Sequence, residues 1–132
     1  MRADRLAQVA LAALVAGLVV FGLLTVGGPG KGRMEKRDAT RLSDLRDLSQ
    51  YVRCVANTQG KTLPASLAPV ETCQRELRLA DPFTDAPYRY ERVSDTAYRL
   101  CAPFEDPDWV SEAQGVGDLD RATGCLQFTY TP

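Results

Sequence analysis

The chain contains no histidine. That removes the commonest general base and the commonest metal ligand, so histidine-based triads and histidine-containing zinc sites are excluded. It also has no Cys-x-x-Cys pair, the spacing that marks zinc ribbons and thioredoxin-like redox motifs. Charge of one sign is not in surplus either: the formal net charge is -1, which argues against an electrostatic nucleic-acid binder. What remains for chemistry is a set of scattered carboxylates and four cysteines with nothing grouping them. The expectation is a non-catalytic protein with no cofactor, no nucleic-acid partner and no small-molecule substrate.

A local absence matters more. From Leu6 to Val26 the chain runs 21 residues without a charge, and only Gln8 and Thr25 are strongly polar. A helix of that length rises about 31 Å, the thickness of a bilayer core. A cleavable signal peptide is the competing reading, but its apolar region would be shorter and an Ala-x-Ala-like site should follow. The reading is a cytoplasmic N-terminus over residues 1–5 and a transmembrane anchor over 6–27. A Gly/Pro hinge follows over 28–33, then an exported domain over 34–132. Within the span, Ala13, Gly17 and Gly22 are small residues among bulky ones and could admit a second membrane helix. The expected partners are therefore the lipid bilayer and one or more membrane-embedded proteins.

The flanks disagree about orientation. Lys31, Arg33, Lys36 and Arg37 follow the span, and positive charge alone would hold that side in the cytoplasm. Cys54, Cys73, Cys101 and Cys125 all lie beyond the span. An even number of cysteines in a small domain reads as two disulfides in an oxidising space, with four free core thiols as the alternative. Three pairings are possible. Sequential pairing, Cys54–Cys73 and Cys101–Cys125, closes local loops and is favoured. It puts the domain in the periplasm against the charge rule.

The domain has a legible pattern. Leu42, Leu45, Leu48, Val52 and Val55 recur at spacings of three and four, the apolar stripe of an amphipathic helix, with Gly60 as its stop. Cys54 lies about 160° from the middle of that stripe, so its partner should approach from the side away from the main core. Residues 66–79 read as a short second helix with Pro69 in its first turn. "PYRYERV" and "AYRLCAPF" flank "SDT" as a β-hairpin. Tyr88, Tyr90 and Arg92 share one face, matched by Tyr98, Leu100 and Ala102. "GCLQFTYT" supplies a third strand. Between them, residues 105–123 read as a solvated acidic loop. Its Asp106, Asp108, Asp118 and Asp120 are weak calcium candidates, without the ligand spacing of an EF-hand. The fold class is α+β: a transmembrane helix, then an amphipathic helix packed on a small antiparallel sheet of a hairpin plus one strand.

The layout resembles a known family. An apolar helix leads into an amphipathic one, then Leu-Pro-x-Ser-Leu at Leu63–Leu67 and Asp-Pro-x-Thr-x-x-Pro-Tyr at Asp81–Tyr88, before the tyrosine-rich hairpin and a final strand. This looks like the pseudopilins of type II secretion and the related type IV pilin-like proteins, particularly the major pseudopilin. The resemblance implies a long N-terminal helix on a small antiparallel sheet, single-pass insertion in the bacterial inner membrane, and a periplasmic domain that works by assembly. "MRADRLAQVALAAL" lacks the family's prepilin-peptidase run and its glutamate, which implies a pilin-like domain carried on a plain anchor. Two functions follow as expectations: a membrane-anchored periplasmic protein acting through protein contacts, or an accessory single-span subunit of a larger respiratory, photosynthetic or transport complex.

Overall fold

The structure, a computed structural model, describes residues 1–113 and 118–132. The chain divides into two compact units, Met1–Arg33 and Met34–Pro132. Helix α1, Arg2–Val26, dominates the first, and none of its residues is buried. It is long and apolar enough to cross a membrane.

Helix α2 spans Gly28–Thr58. Most of the hinge expected over 28–33 is therefore helical, and the interruption sits at Gly27 and Gly28, which are left-handed with φ 89° and 69°. At the far end, Gly60 takes φ 76°, and the preceding Gln59 N–H closes on the Val55 carbonyl at 3.0 Å. A left-handed residue just past the last turn favours glycine because a Cβ would crowd the carbonyl.

The sheet is antiparallel. Strand β1 is Arg89–Arg92, β2 Ala97–Cys101, β3 Asp118–Asp120 and β4 Cys125–Thr129, in the order β1-β2-β4-β3. The hairpin and the final strand stand where the alternation places them. The acidic stretch is more ordered than expected: Pro107–Ala113 forms a short helix, α3, and Asp118–Asp120 a fourth, outer strand. Residues 114–117 of that expected loop lie outside the described residues. Residues 66–79 are a second correction, since only Glu71–Cys73 is helical and then as a single 3₁₀ turn.

One core joins α2 to the inner sheet face. Leu42, Leu45, Leu48, Val52 and Ala56 pack with Tyr98, Leu100, Ala102, Leu126 and Phe128. Each fully buried leucine of this kind contributes roughly 1.5–3 kcal/mol. Tyr98 stacks on Phe128 with centroids 5.4 Å apart. The tyrosines keep their hydroxyls satisfied by reaching across to α2. Tyr88 donates to Asp44 at 2.7 Å, Tyr98 to the Ser49 carbonyl at 3.4 Å and Tyr130 to Asn57 at 2.6 Å. Burial pushes the Tyr98 phenol up to about 12, so it stays a neutral donor.

A smaller cluster lies beside the main core, where Tyr51, Val55 and Cys73 pack with Leu67, Val70 and Leu77. Cys54 bonds to Cys73 and Cys101 to Cys125. The second bridge spans directly opposed residues of β2 and β4, and the first pins residues 67–77 to α2.

Candidate functional site

Two regions could carry function: the apolar surface of α1, and a buried cluster of charges in the domain. In α1, Leu11, Leu14, Leu18, Phe21 and Leu24 are all more than half exposed. A Cβ built at Gly17 or Gly22 would meet nothing within 4 Å, so both positions leave room beside the helix. Ala13 lies on the same helix and is equally exposed.

The charge cluster centres on Arg41, which is 1% exposed. Its Nη1 donates to Asp38 at 2.8 Å and to Glu105 at 3.2 Å, and its Nη2 to Asp81 at 2.9 Å. Asp38 and Asp81 are themselves fully buried. Asp38 also accepts the backbone N–H groups of Glu105 and Asp106, at 3.0 and 2.7 Å. Asp81 accepts from the Phe83 N–H at 3.3 Å and the Thr84 hydroxyl at 2.6 Å, the self-capping that makes Asp-Pro a turn starter. Arg37 clamps Glu105 from outside with bonds of 2.6 and 2.9 Å. The Phe83 ring covers the guanidinium at 5.4 Å.

The electrostatics follow from this geometry. Burial opposes the Arg41 charge, but its hydrogen bonds to Asp81 and Asp38 outweigh it and push its pKa up. Burial would raise Asp81, yet Arg41, Thr84 and the Phe83 amide together hold it below the ordinary carboxylate range. The hydrogen bond from Arg37 holds Glu105 down too. Both Nη atoms of Arg41 are engaged by carboxylates, while its buried Nε has no partner among the described residues. No carboxylate of the cluster presents a proton, a nucleophile or an open ligand position. The cluster ties α2 to the Asp81–Thr84 turn and to the loop before α3. It is a structural clamp.

The carboxylates proposed for calcium do not converge. Asp106 accepts the Trp109 N–H at 3.1 Å and so caps α3. Asp108 pairs with Arg121 at 2.8 Å, and Asp120 accepts the Ala122 N–H at 3.0 Å. Asp118 sits on the outer strand β3. Among the described residues no group of three or more metal-ligating side chains is present.

The clamp was missed in the sequence, although a signal existed. Asp38 and Arg41 fall four residues before Leu42 and Leu45, in phase with the apolar stripe and therefore directed inward. Charged residues on a core-facing stripe point to a buried network. The domain also carries an open groove of about 490 Å³, lined by Tyr51, Leu67, Val70, Leu77 and Leu79 among others. Comparison with protein-family models, with curated proteins and with solved structures finds no match to this chain.

Proposed function

We propose that this is a non-catalytic, membrane-anchored periplasmic protein whose pseudopilin-like domain acts through protein contacts. The observation that carries the reading is α1: an uncharged apolar surface of 21 residues from Leu6 to Val26, none of it buried within the chain. Such a surface needs a bilayer or a partner helix to cover it. The two disulfides support an oxidising compartment for the domain. The pseudopilin-like part of the reading rests on the motifs at Leu63–Leu67 and Asp81–Tyr88 and on the order of an apolar helix, an amphipathic helix and a small antiparallel sheet.

An accessory single-span subunit of a larger inner-membrane complex is the second reading. The open space beside Gly17 and Gly22 favours it, because small residues let another helix approach closely. Native electrophoresis of detergent-solubilised membranes separates the two. A stable large complex supports the accessory subunit. Migration near the mass of a monomer in detergent supports a free-standing contact protein. Recovery of the chain in the soluble fraction contradicts both.

A further inference from the structure

Strand β1 stands at an edge of the sheet, and its hydrogen bonding shows which of its groups are left open. The Val93 N–H donates to the Ala97 carbonyl at 2.9 Å, so Val93 and Ala97 form a hydrogen-bonded pair. Antiparallel pairs alternate. Arg89 and Glu91 therefore bond β2, while the backbone groups of Tyr88, Tyr90 and Arg92 point outward. The opposite ladder agrees: Ala102 and Gly124, and Tyr130 and Thr96, bond across β2 and β4, which leaves the odd residues of β2 for β1. The outward N–H of Tyr88 is met by the Leu79 carbonyl at 3.0 Å. For Tyr90 and Arg92 no such partner exists among the described residues.

Part of this edge is already occupied by an antiparallel segment, since Ala80 bridges Pro87. That pairing stops at once, and the sequence shows why. Continued in the same register, it would set Arg78 opposite Arg89, Glu76 opposite Glu91 and Arg75 opposite Arg92. Like charges directly opposed destabilise a strand pair. The charges of the chain's own segment do not suit the edge it begins to cover, and they turn to α2 instead: Arg78 pairs with Asp44 at 3.3 Å and Arg75 donates to Gln50 at 2.6 Å.

The geometry points to the Arg89–Val93 edge as a strand-addition site for an extended segment of a partner protein, one with an acidic residue opposite Arg89 and a basic residue opposite Glu91. Four outward backbone groups, the N–H and C=O of Tyr90 and Arg92, would supply the ladder. The charge pattern selects the reverse of the one the chain itself offers. The Arg89 side chain is 59% exposed and lies 3.7 Å from Glu91, with its Nη2 3.9 Å from the Cys125 sulfur; Glu91 also takes Arg99 at 2.9 Å, so Arg89 is the more open of the two charges. A second copy of β1 fits poorly. Two-fold pairing about Glu91 opposes two carboxylates, and pairing about Tyr90 drives the other copy's Arg92 into the place Leu79 holds. The inference goes beyond the anchored-contact reading. It is read at the β1 amides, so it fails or stands separately from association through the span.

The test is amide hydrogen exchange by NMR on the full chain in detergent micelles, titrated with the capped peptide Val-Thr-Lys-Val-Glu. Antiparallel to β1, it sets lysine opposite Glu91 and glutamate opposite Arg89. At about ten times its Kd, exchange at Tyr90 and Arg92 slows about tenfold, while Glu91, already bonded to β2, is unchanged. The peptide with lysine and glutamate interchanged gives no such protection, and Arg89→Glu makes the two peptides equivalent. Three results overturn the proposal: no slowing with either peptide, equal slowing with both on the native chain, or discrimination that survives Arg89→Glu. Concentration-dependent protection of the same amides without peptide also overturns it, because a second copy is then the occupant.

Discussion

Arg41 illustrates how a single side chain can hold three segments. It compensates two carboxylates that are wholly inside the protein, Asp38 and Asp81. Removing one partner of a buried pair leaves the others unpaired, at a cost of about 3–5 kcal/mol. Arg41→Leu is therefore expected to lower unfolding free energy in urea by about that amount. Arg121→Ala breaks only an exposed pair and should stay within about 0.5 kcal/mol. A similar loss in both variants would show that the clamp does not hold the fold. The same residues set the response to acid. Asp81 and Glu105 are held below their ordinary values, so the unfolded chain takes up their protons first. Their contribution is complete above the ordinary carboxylate range, about pH 4, and is lost as pH falls below it. Thermal melts between neutral pH and pH 2 should show this fall, and Asp81→Asn should flatten it. An unchanged slope in that variant would remove Asp81 from the account.

The elements differ in how far the sequence reveals them. α2 was legible because Leu42, Leu45, Leu48, Val52 and Val55 hold one period over four turns, and the hairpin because Tyr88, Tyr90, Tyr98 and Leu100 alternate. α3 and β3 were not, since α3 turns only the adjacent Trp109 and Val110 inward and β3 only Leu119, too few to set a period. Residues 66–79 misled for another reason. Their spacing allows a helix, but tertiary partners claim the backbone: the Tyr51 hydroxyl accepts the Val70 N–H at 3.0 Å and donates to the Ala68 carbonyl at 2.6 Å. The charge clamp stayed hidden because charged residues on a helix are ordinarily solvated. Cys101→Ser opens the β2–β4 bridge and should cost about 2–5 kcal/mol, measured by denaturant unfolding against Arg121→Ala; equal midpoints would contradict a stabilising bridge. Gly124 has φ 68°, and a Cβ there would press on the Ala102 carbonyl oxygen. At Gly60 the added Cβ meets nothing within 4 Å. Gly124→Ala should therefore lower Tm clearly more than Gly60→Ala, and the reverse order would contradict the packing of that turn.

At the scale of the whole molecule, the division of labour is between an apolar helix and a disulfide-stapled domain. The leucines and tyrosines of the domain are mostly committed to its core, while the large apolar residues of α1 are exposed. Stable association is therefore expected through α1. Gly17→Leu and Gly22→Leu should fill the space beside α1 and reduce co-purification of a partner without changing the domain's melting. Unchanged recovery would move the contact to the domain. The positive flank Lys31, Arg33, Lys36 and Arg37 opposes export by the charge rule, and the disulfides oppose a cytoplasmic domain. If the disulfides prevail, the domain lies in an oxidising space. The most direct test is a reporter enzyme that folds only in the periplasm, fused after Pro132 in a bacterial host, with its activity followed through alkaline extraction of the membranes. The account predicts an active reporter that stays in the membrane pellet. An inactive reporter, or an active one released into the soluble fraction, would contradict it.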